Sequence, residues 1–241
     1  MADAREVGYD AQEHTGLVNT ILAETKLKPY NIFRHADLRG KKIVDIGCGD
    51  GELCRTSVAR GAQYAMGIDG KQDMIDIASS LNSQYEGKVE FRQGFIEDLS
   101  GDETFDVAIL SYLLNNAKDF KQLTQQCRST VSFLKPGGMA VIFNNNPFDV
   151  LGGDFTKYGF RKTLTGLRDG DPIIYDYRPA INSDIINYYL SPEKHEAAFQ
   201  IAGFSEFAWK PIQSYPGADP VFWHDYFNRG NLPVIGILGR K

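Results

Sequence analysis

Val44-Asp45-Ile46-Gly47-Cys48-Gly49-Asp50-Gly51-Glu52-Leu53 follows a short β-branched run and precedes a stretch of helical character. Its glycines therefore stand where a strand turns into a helix, the place where α/β proteins bind ligands. Lacking Cβ atoms, Gly47 and Gly49 let a ligand lie against the main chain, with the amides of the following helix facing it. A dinucleotide fingerprint needs its third glycine at position 52, but Glu52 is there and Gly51 comes one residue early. Pyrophosphate is a poor match, because Asp45 at the strand end and Asp50 in the loop repel phosphate. Both suit a cation carrying an ammonium or sulfonium group. A purely structural turn is the competing reading.

The chain of 241 residues can bury a sizeable core as one α/β domain. Its 42% hydrophobic and 24% charged residues are ordinary for a soluble globular protein, and no apolar run approaches the roughly 20 residues a membrane span needs. The residues Met1-Ala2-Asp3-Ala4-Arg5-Glu6 lack a basic head followed by an apolar run, so no secretory signal is expected. Cys48, Cys54 and Cys127 form neither a C-x-x-C pair nor an even-numbered framework, which fits a reducing, cytoplasmic location. A net charge of -5 disfavours nucleic acid as partner. Arg161, Lys162 and Arg168 read as a solvated loop. No His, Cys, Asp or Glu cluster has metal-ligand spacing, so no metal is expected.

Residues 41 to 144 alternate strand and helix, the mark of a doubly wound parallel sheet. Strands are expected at 43–46, 64–68, 89–91, 107–110 and 139–143. Helices are expected from Glu52 to Arg60 with a stop at Gly61, through Met74, Ile77, Ala78 and Leu81, and along the stripe Phe120, Leu123, Cys127, Val131 and Leu134. Pro136-Gly137-Gly138 ends the last of these. Residues 148 to 180 break the rhythm and read as a cap over the carboxyl edge of the sheet. Residues 184 to 190 resume an extended pattern. Ser191 and Pro192 open a helix that stops at Gly203, and strands follow at 204–209 and 234–238. Upstream, Val18, Ile21, Leu22 and Thr25 mark an amphipathic lid helix. The expected division is a lid over 1–40, a cofactor-binding core over 41–147, a cap over 148–183 and the rest of the core over 184–241.

Asp69, 22 positions beyond Gly47 at the tip of the second strand, can accept both hydroxyls of a ribose; its alternative role is a helix N-cap. Gly94-Phe95-Ile96 offers a backbone bend and apolar side chains around an adenine. Ser111, Tyr112 and Asn115 after the fourth strand supply polar groups and an aromatic ring beside a methyl-donor position. S-adenosylmethionine combines the sulfonium and the nucleoside that these residues suit.

Taken together, the four elements resemble the class I S-adenosylmethionine-dependent methyltransferases over about residues 40 to 145. The resemblance implies a Rossmann-like seven-stranded sheet with helices on both faces and the last strand antiparallel. It implies Asp45, Gly47, Cys48 and Gly49 around the methionine part, Asp69 on the ribose, Gly70 and Met74 near the adenosine, and Gly94, Phe95 and Ile96 at the adenine. Ser111 and Tyr112 would lie under the methionyl portion, and Tyr30 would reach the cofactor from the lid. S-adenosyl-L-homocysteine would be the product. In the carboxyl half, Tyr158-Gly159-Phe160, Gly170-Asp171-Pro172, Asn187-Tyr188-Tyr189-Leu190-Ser191-Pro192-Glu193, Ala197-Ala198-Phe199 and Ala202-Gly203-Phe204 are similar to small-molecule methyltransferases of the toxoflavin-biosynthesis type. Asn116 stands where that type has an aromatic residue.

Methyl transfer is an in-line displacement on an activated sulfonium, so alignment and desolvation carry much of it and a strong base is optional. The candidates for alignment and acceptor contact are Tyr9, Tyr112 and Tyr189, from a tyrosine set concentrated in lid, cap and strand edges. His195 reads as a core or surface residue on its helix, and His14 and His35 flank the lid. Asn144-Asn145-Asn146-Pro147 superficially resembles the Asn/Asp-Pro-Pro-Tyr signature of amine-methylating enzymes, but it follows strand five and reads as a strand-ending turn. The expected activity is methyl transfer to nitrogen or oxygen of a small molecule by a monomer or homodimer. The alternatives are a nicotinamide-dependent reductase and a non-catalytic nucleoside-binding regulatory module.

Overall fold

The computed structural model describes residues 24–178 and 184–241. Helix α1 (Glu24–Phe33) leads into β1 (Lys42–Ile46), α2 (Glu52–Ala59), β2 (Tyr64–Asp69), α3 (Gln72–Ser80), β3 (Val89–Gln93), β4 (Phe105–Ser111), α4 (Phe120–Phe133) and β5 (Leu134–Asn145). Four short strands follow: β6 (Gly153–Phe155), β7 (Phe160–Leu164), β8 (Pro172–Asp176) and β9 (Ile185–Tyr188). The chain ends with α5 (Pro192–Ala202), β10 (Glu206–Lys210), α6 (Pro220–Phe227) and β11 (Val234–Arg240).

The main sheet has seven strands in the order β10-β11-β5-β4-β1-β2-β3. The first five strands of the chain pair in parallel, while β11 runs antiparallel between β5 and β10. Parallel strands are covered by helices on both faces, which is why Ile43-Val44-Asp45-Ile46 is buried throughout and reads as a near-continuous run. One apolar cluster, including Val44, Ile68, Leu110, Leu123 and Phe199, fills one side. A second, including Ile43, Leu53, Ile75, Ile109 and Phe143, fills the other.

Three expectations change in detail. Helix α4, capped by the Asp119 carboxylate on the Gln122 amide, ends at Phe133, and β5 begins at once at Leu134. Lys135 to Gly138 then loop out opposite Asp106, where Gly137 takes a left-handed φ of 77°, before pairing resumes at Met139. Residues 185–188 do not rejoin the main sheet: β9 pairs with β8 and completes a four-stranded antiparallel cap sheet ordered β6-β7-β8-β9. Helix α6, which the sequence reading lacked, places Trp223 and Tyr226 against the cap residues Phe155, Tyr158 and Phe160 and against Leu27 of α1.

The lid proposed at the amino end falls in part outside the described residues, as do Tyr9, His14, Val18, Ile21 and Leu22. What is described of α1 belongs to the core. Leu27 is fully buried, Ile32 and Phe33 join the second cluster, and Asn31 exchanges hydrogen bonds with the Gln213 backbone in both directions (2.8 Å each).

Candidate active site

The carboxyl ends of β1, β2 and β4 meet at the glycine turn. Gly47 N and Cys48 N donate to Ile68 O at 2.7 and 3.0 Å, tying the turn to β2. Gly47 holds a φ of 77°, and a Cβ added there would stand 3.2 Å from Leu113 Cδ1, so its bare face looks toward the segment after β4. Gly51 and Gly67 serve packing instead: a Cβ at either would run into the Phe91 ring. The Cys48 thiol is buried in the core, where burial pushes its pKa up, and it donates back to Gly49 O at 3.6 Å.

Two carboxylates frame this bend. Asp69 Oδ2 accepts from Gly49 N and Oδ1 from Lys71 N, each at 2.9 Å, and burial raises its pKa against the pull of these two amides. Asp69 is not the cap of α3; Lys71 occupies that position. Each of its oxygens keeps a lone pair for a further donor. Asp45 is fully buried, and burial pushes its pKa up to about 7, opposed by the charge of Lys28 and reinforced by Asp69. Cys54 Sγ lies 3.8 Å from its Oδ2, whereas Oδ1 has no partner. Asp50 is spent locally, since its Oδ1 takes the Glu52 amide at 3.1 Å.

The nucleoside candidates gather beside Asp69. Gly94 N donates to Asp69 O at 2.8 Å, the Phe95 ring lies so close over Gly70 that an added Cβ would stand 2.7 Å from it, and Ile96 and Met74 are buried beneath. Across the turn, Ser111 Oγ is buried without a partner. Tyr112 adopts a left-handed φ of 55°, a strained state for a bulky residue, and its ring meets Phe143 edge-on at 5.3 Å. Tyr30 lies half-buried on α1, and Tyr189 lies buried at the start of the cap-to-α5 connection, where burial pushes its phenol pKa up.

An amide chain that the sequence reading missed links cap and core. Tyr175 Oη donates to Asn145 Oδ1 (2.9 Å), Asn145 Nδ2 to Asn187 Oδ1 (3.2 Å), Asn187 Nδ2 to Asn116 Oδ1 (3.1 Å), and Asn116 Nδ2 to Tyr112 O (3.5 Å). Lys28 was missed as well; it approaches Glu52 at 4.0 Å and lowers the Asp45 pKa. No spacing along the chain announces either. The supposed solvated loop is corrected at Lys162, whose fully buried Nζ pairs with Asp149 Oδ2 at 2.9 Å, while Arg161 and Arg168 are exposed. Asn144 to Asn146 end β5 and enter the next turn as expected, and they line a slot together with Asn115 and His195. His35 is half-buried in the turn that follows α1, and His224 is exposed. Among the described residues, no cluster of His, Cys, Asp and Glu could hold a metal ion, and no helix is long and apolar enough to cross a membrane.

Residues 43–138 match a family described as a methyltransferase domain. A ubiquinone biosynthesis O-methyltransferase of Neisseria meningitidis is 33% identical over 120 residues, 47% of this chain and 48% of that protein. One from Pseudomonas syringae is 33% identical over 132 residues, 52% and 55% of the two chains. This chain thus spans about half the length of the curated relatives it matches. An S-adenosylmethionine-dependent methyltransferase from Clostridium acetobutylicum superposes with a TM-score of 0.66 at 15% identity over 95% of this chain and 96% of that one. The Burkholderia thailandensis 1,6-didemethyltoxoflavin-N1-methyltransferase, solved with 1,6-didemethyltoxoflavin and S-adenosylhomocysteine, superposes at 0.60 and 15% identity over 91% and 79%. The glycine turn with its acidic residue on β2 lies within the stretch that matches a methyltransferase domain, and the chain shares its fold with these solved S-adenosylmethionine-dependent methyltransferases.

Proposed function

We propose that this protein transfers a methyl group from S-adenosylmethionine to oxygen or nitrogen of a small molecule held between the sheet edge and the cap. The observation that carries the reading is the joint between Asp69 and the glycine turn. Its Oδ2 anchors Gly49 N, so the carboxylate that would take the ribose hydroxyls also sets the bend over which the methionine part would lie. The orphaned Asp45 Oδ1 and Ser111 Oγ fit a cationic, donor-rich ligand, because buried acceptors without partners otherwise cost about 1 to 3 kcal/mol each. Gly70, Phe95, Ile96 and Met74 would enclose the base, and Tyr30 would close over the cofactor from α1. When bound, the sulfonium supplies an activated methyl group; the residues of this chain orient it, exclude water and position the acceptor. A small-molecule acceptor fits the relatives named above, and a cytoplasmic setting fits three unpaired, buried cysteines.

Calorimetric titration tests this directly. S-adenosylmethionine should bind and NADH should not, since Glu52 replaces the third glycine that a pyrophosphate needs. Incubation with methyl-labelled cofactor and a metabolite extract should then yield a labelled product by mass spectrometry. Cofactor binding with no label transferred to any acceptor would favour the non-catalytic regulatory module.

A further inference from the structure

The amide chain between cap and core has a direction, and its last link sets it. Tyr112 O is a backbone carbonyl and can only accept, so Asn116 offers it Nδ2, at 3.5 Å, and turns Oδ1 toward Asn187 Nδ2, at 3.1 Å. Asn187 Oδ1 then faces Asn145 Nδ2 at 3.2 Å, and Asn145 Oδ1 takes the Tyr175 hydroxyl at 2.9 Å. Asn187 on β9 stands opposite Ile173 on β8, so it shares the buried face of the cap sheet with Tyr175, two residues further on. Asn145 ends β5, and Asn116 closes the turn after β4. Every donor in the chain thus points from the cap toward the segment beside the glycine turn.

That segment is held in an unfavourable shape. Tyr112 has a φ of 55°, a sparsely allowed state that a bulky residue keeps only when its surroundings over-determine it. Its amide donates to Phe143 O at 2.8 Å and its carbonyl receives Asn116, so the residue is pinned at both ends. The bend it makes delivers Leu113 to the bare face of Gly47, where Leu113 Cδ1 and Cβ lie 3.2 and 3.6 Å from the place a Cβ would take. Contacts therefore run from Asn187 through Asn116, Tyr112 and Leu113 to the turn over which the cofactor would lie.

Resting on the methyltransferase reading, we propose that Asn187 is a positioning residue for the cofactor: from the cap sheet it holds Tyr112 in its left-handed state and Leu113 against Gly47, so the cofactor is gripped fully only while the cap is docked. Such coupling is reciprocal, and bound cofactor in turn steadies the cap. A residue that merely packs the cap would change stability without linking the two.

The test uses the full chain and S-adenosylhomocysteine, with affinity read by calorimetry and cap motion by amide hydrogen exchange. In the parent, saturating S-adenosylhomocysteine should slow exchange in β8 and β9 as well as at the glycine turn. Asn187→Asp is nearly isosteric and still accepts from Asn145, but it has no donor for Asn116. It should weaken S-adenosylhomocysteine binding about three- to tenfold, the net worth of one hydrogen bond, and at renewed saturation the cap should no longer slow. Asn116→Asp keeps the bond to the cap and withdraws the donor from Tyr112 O, so it should behave alike and carries the test if Asn187→Asp does not fold. Glycine adopts a positive φ without strain, so in a Tyr112→Gly background Asn187→Asp should cost no further affinity. Parental affinity in both Asp variants, a cap that ignores S-adenosylhomocysteine in the parent, or full additivity of Asn187→Asp with Tyr112→Gly overturns the proposal. Failure of S-adenosylmethionine and S-adenosylhomocysteine to bind the parent protein overturns the methyltransferase reading itself, and this proposal with it.

Discussion

At the end of β1, the fully buried Asp45 carries the plainest pH signature in the chain. Burial raises its pKa to about 7 in the folded protein, against an ordinary value near 4, so between those limits the folded state binds a proton that the unfolded chain has lost. Stability contributed this way is complete at low pH and is lost as pH rises toward and through 7. Asp45→Asn cannot titrate, so denaturant melts from pH 4 to 8 should show it gaining on the parent as pH rises, with a ceiling of about 4 kcal/mol for a displacement of this size. Parallel pH profiles for the two proteins would mean that Lys28 already neutralises the carboxylate. Asp69 titrates less tellingly, but its proposed ribose contact is tested more directly. Asp69→Ala should weaken S-adenosylmethionine binding by about 1 to 3 kcal/mol in calorimetry, from lost ribose contacts and a Gly49 amide cut loose from its acceptor. Unchanged affinity would remove Asp69 from the site.

Among the elements, the cap sheet hangs on one buried charge. Lys162 on β7 gives its ammonium to Asp149 Oδ2 at 2.9 Å, and Arg229 reaches Asp149 Oδ1 at 3.3 Å while lying over the Phe155 ring. Lys162→Met leaves a buried carboxylate with a single, longer partner, so urea unfolding should show a loss of about 3 to 5 kcal/mol. A loss below about 1 kcal/mol would show that Arg229 alone suffices. This arrangement also marks where legibility stopped. The central strands β1 and β4 could be read because each is buried on both faces and advertises itself as a short β-branched run, as Ile43-Val44 and Val107-Ala108-Ile109 do. The turn at Gly47 and the acid at Asp69 could be read because their spacing is set locally by one strand–turn–helix unit. Lys162 could not, since Arg161 and Lys162 look alike until the alternation of β7 sends one outward and the other in to a carboxylate thirteen residues earlier. For the same reason the extended run at 184–190 could be read as a strand but not placed beside β8 in the cap sheet: an extended run does not state its neighbour. The chain from Tyr175 to Tyr112 depends on four segments meeting, and no local pattern encodes such a meeting.

For the whole molecule, the amino end decides whether the site is closed by a detachable flap or by a piece of the fold. Val18, Ile21 and Leu22 suggested a lid whose removal spares stability, so that cutting away residues 1 to 30 should impair turnover more than folding. The described part of α1 argues otherwise. Leu27 is fully buried in the aromatic cluster that joins the cap sheet to α6, Asn31 is bonded both ways to Gln213, and Ile32 and Phe33 pack with Phe143 and Val234 under the main sheet. One helix thus touches both sheets, and Lys28 on it faces the glycine turn. Removing Leu27 alone forfeits about 2 to 5 kcal/mol, as buried leucines do when truncated. Deleting residues 1 to 30 should therefore lower the unfolding midpoint by at least the equivalent of that loss, and Leu27→Ala in the full chain should reproduce much of it. If the deletion unfolds at the parent's denaturant concentration and loses only turnover, α1 is a flap after all. The cap would then owe its position to α6 and the Lys162–Asp149 pair, without help from the amino end.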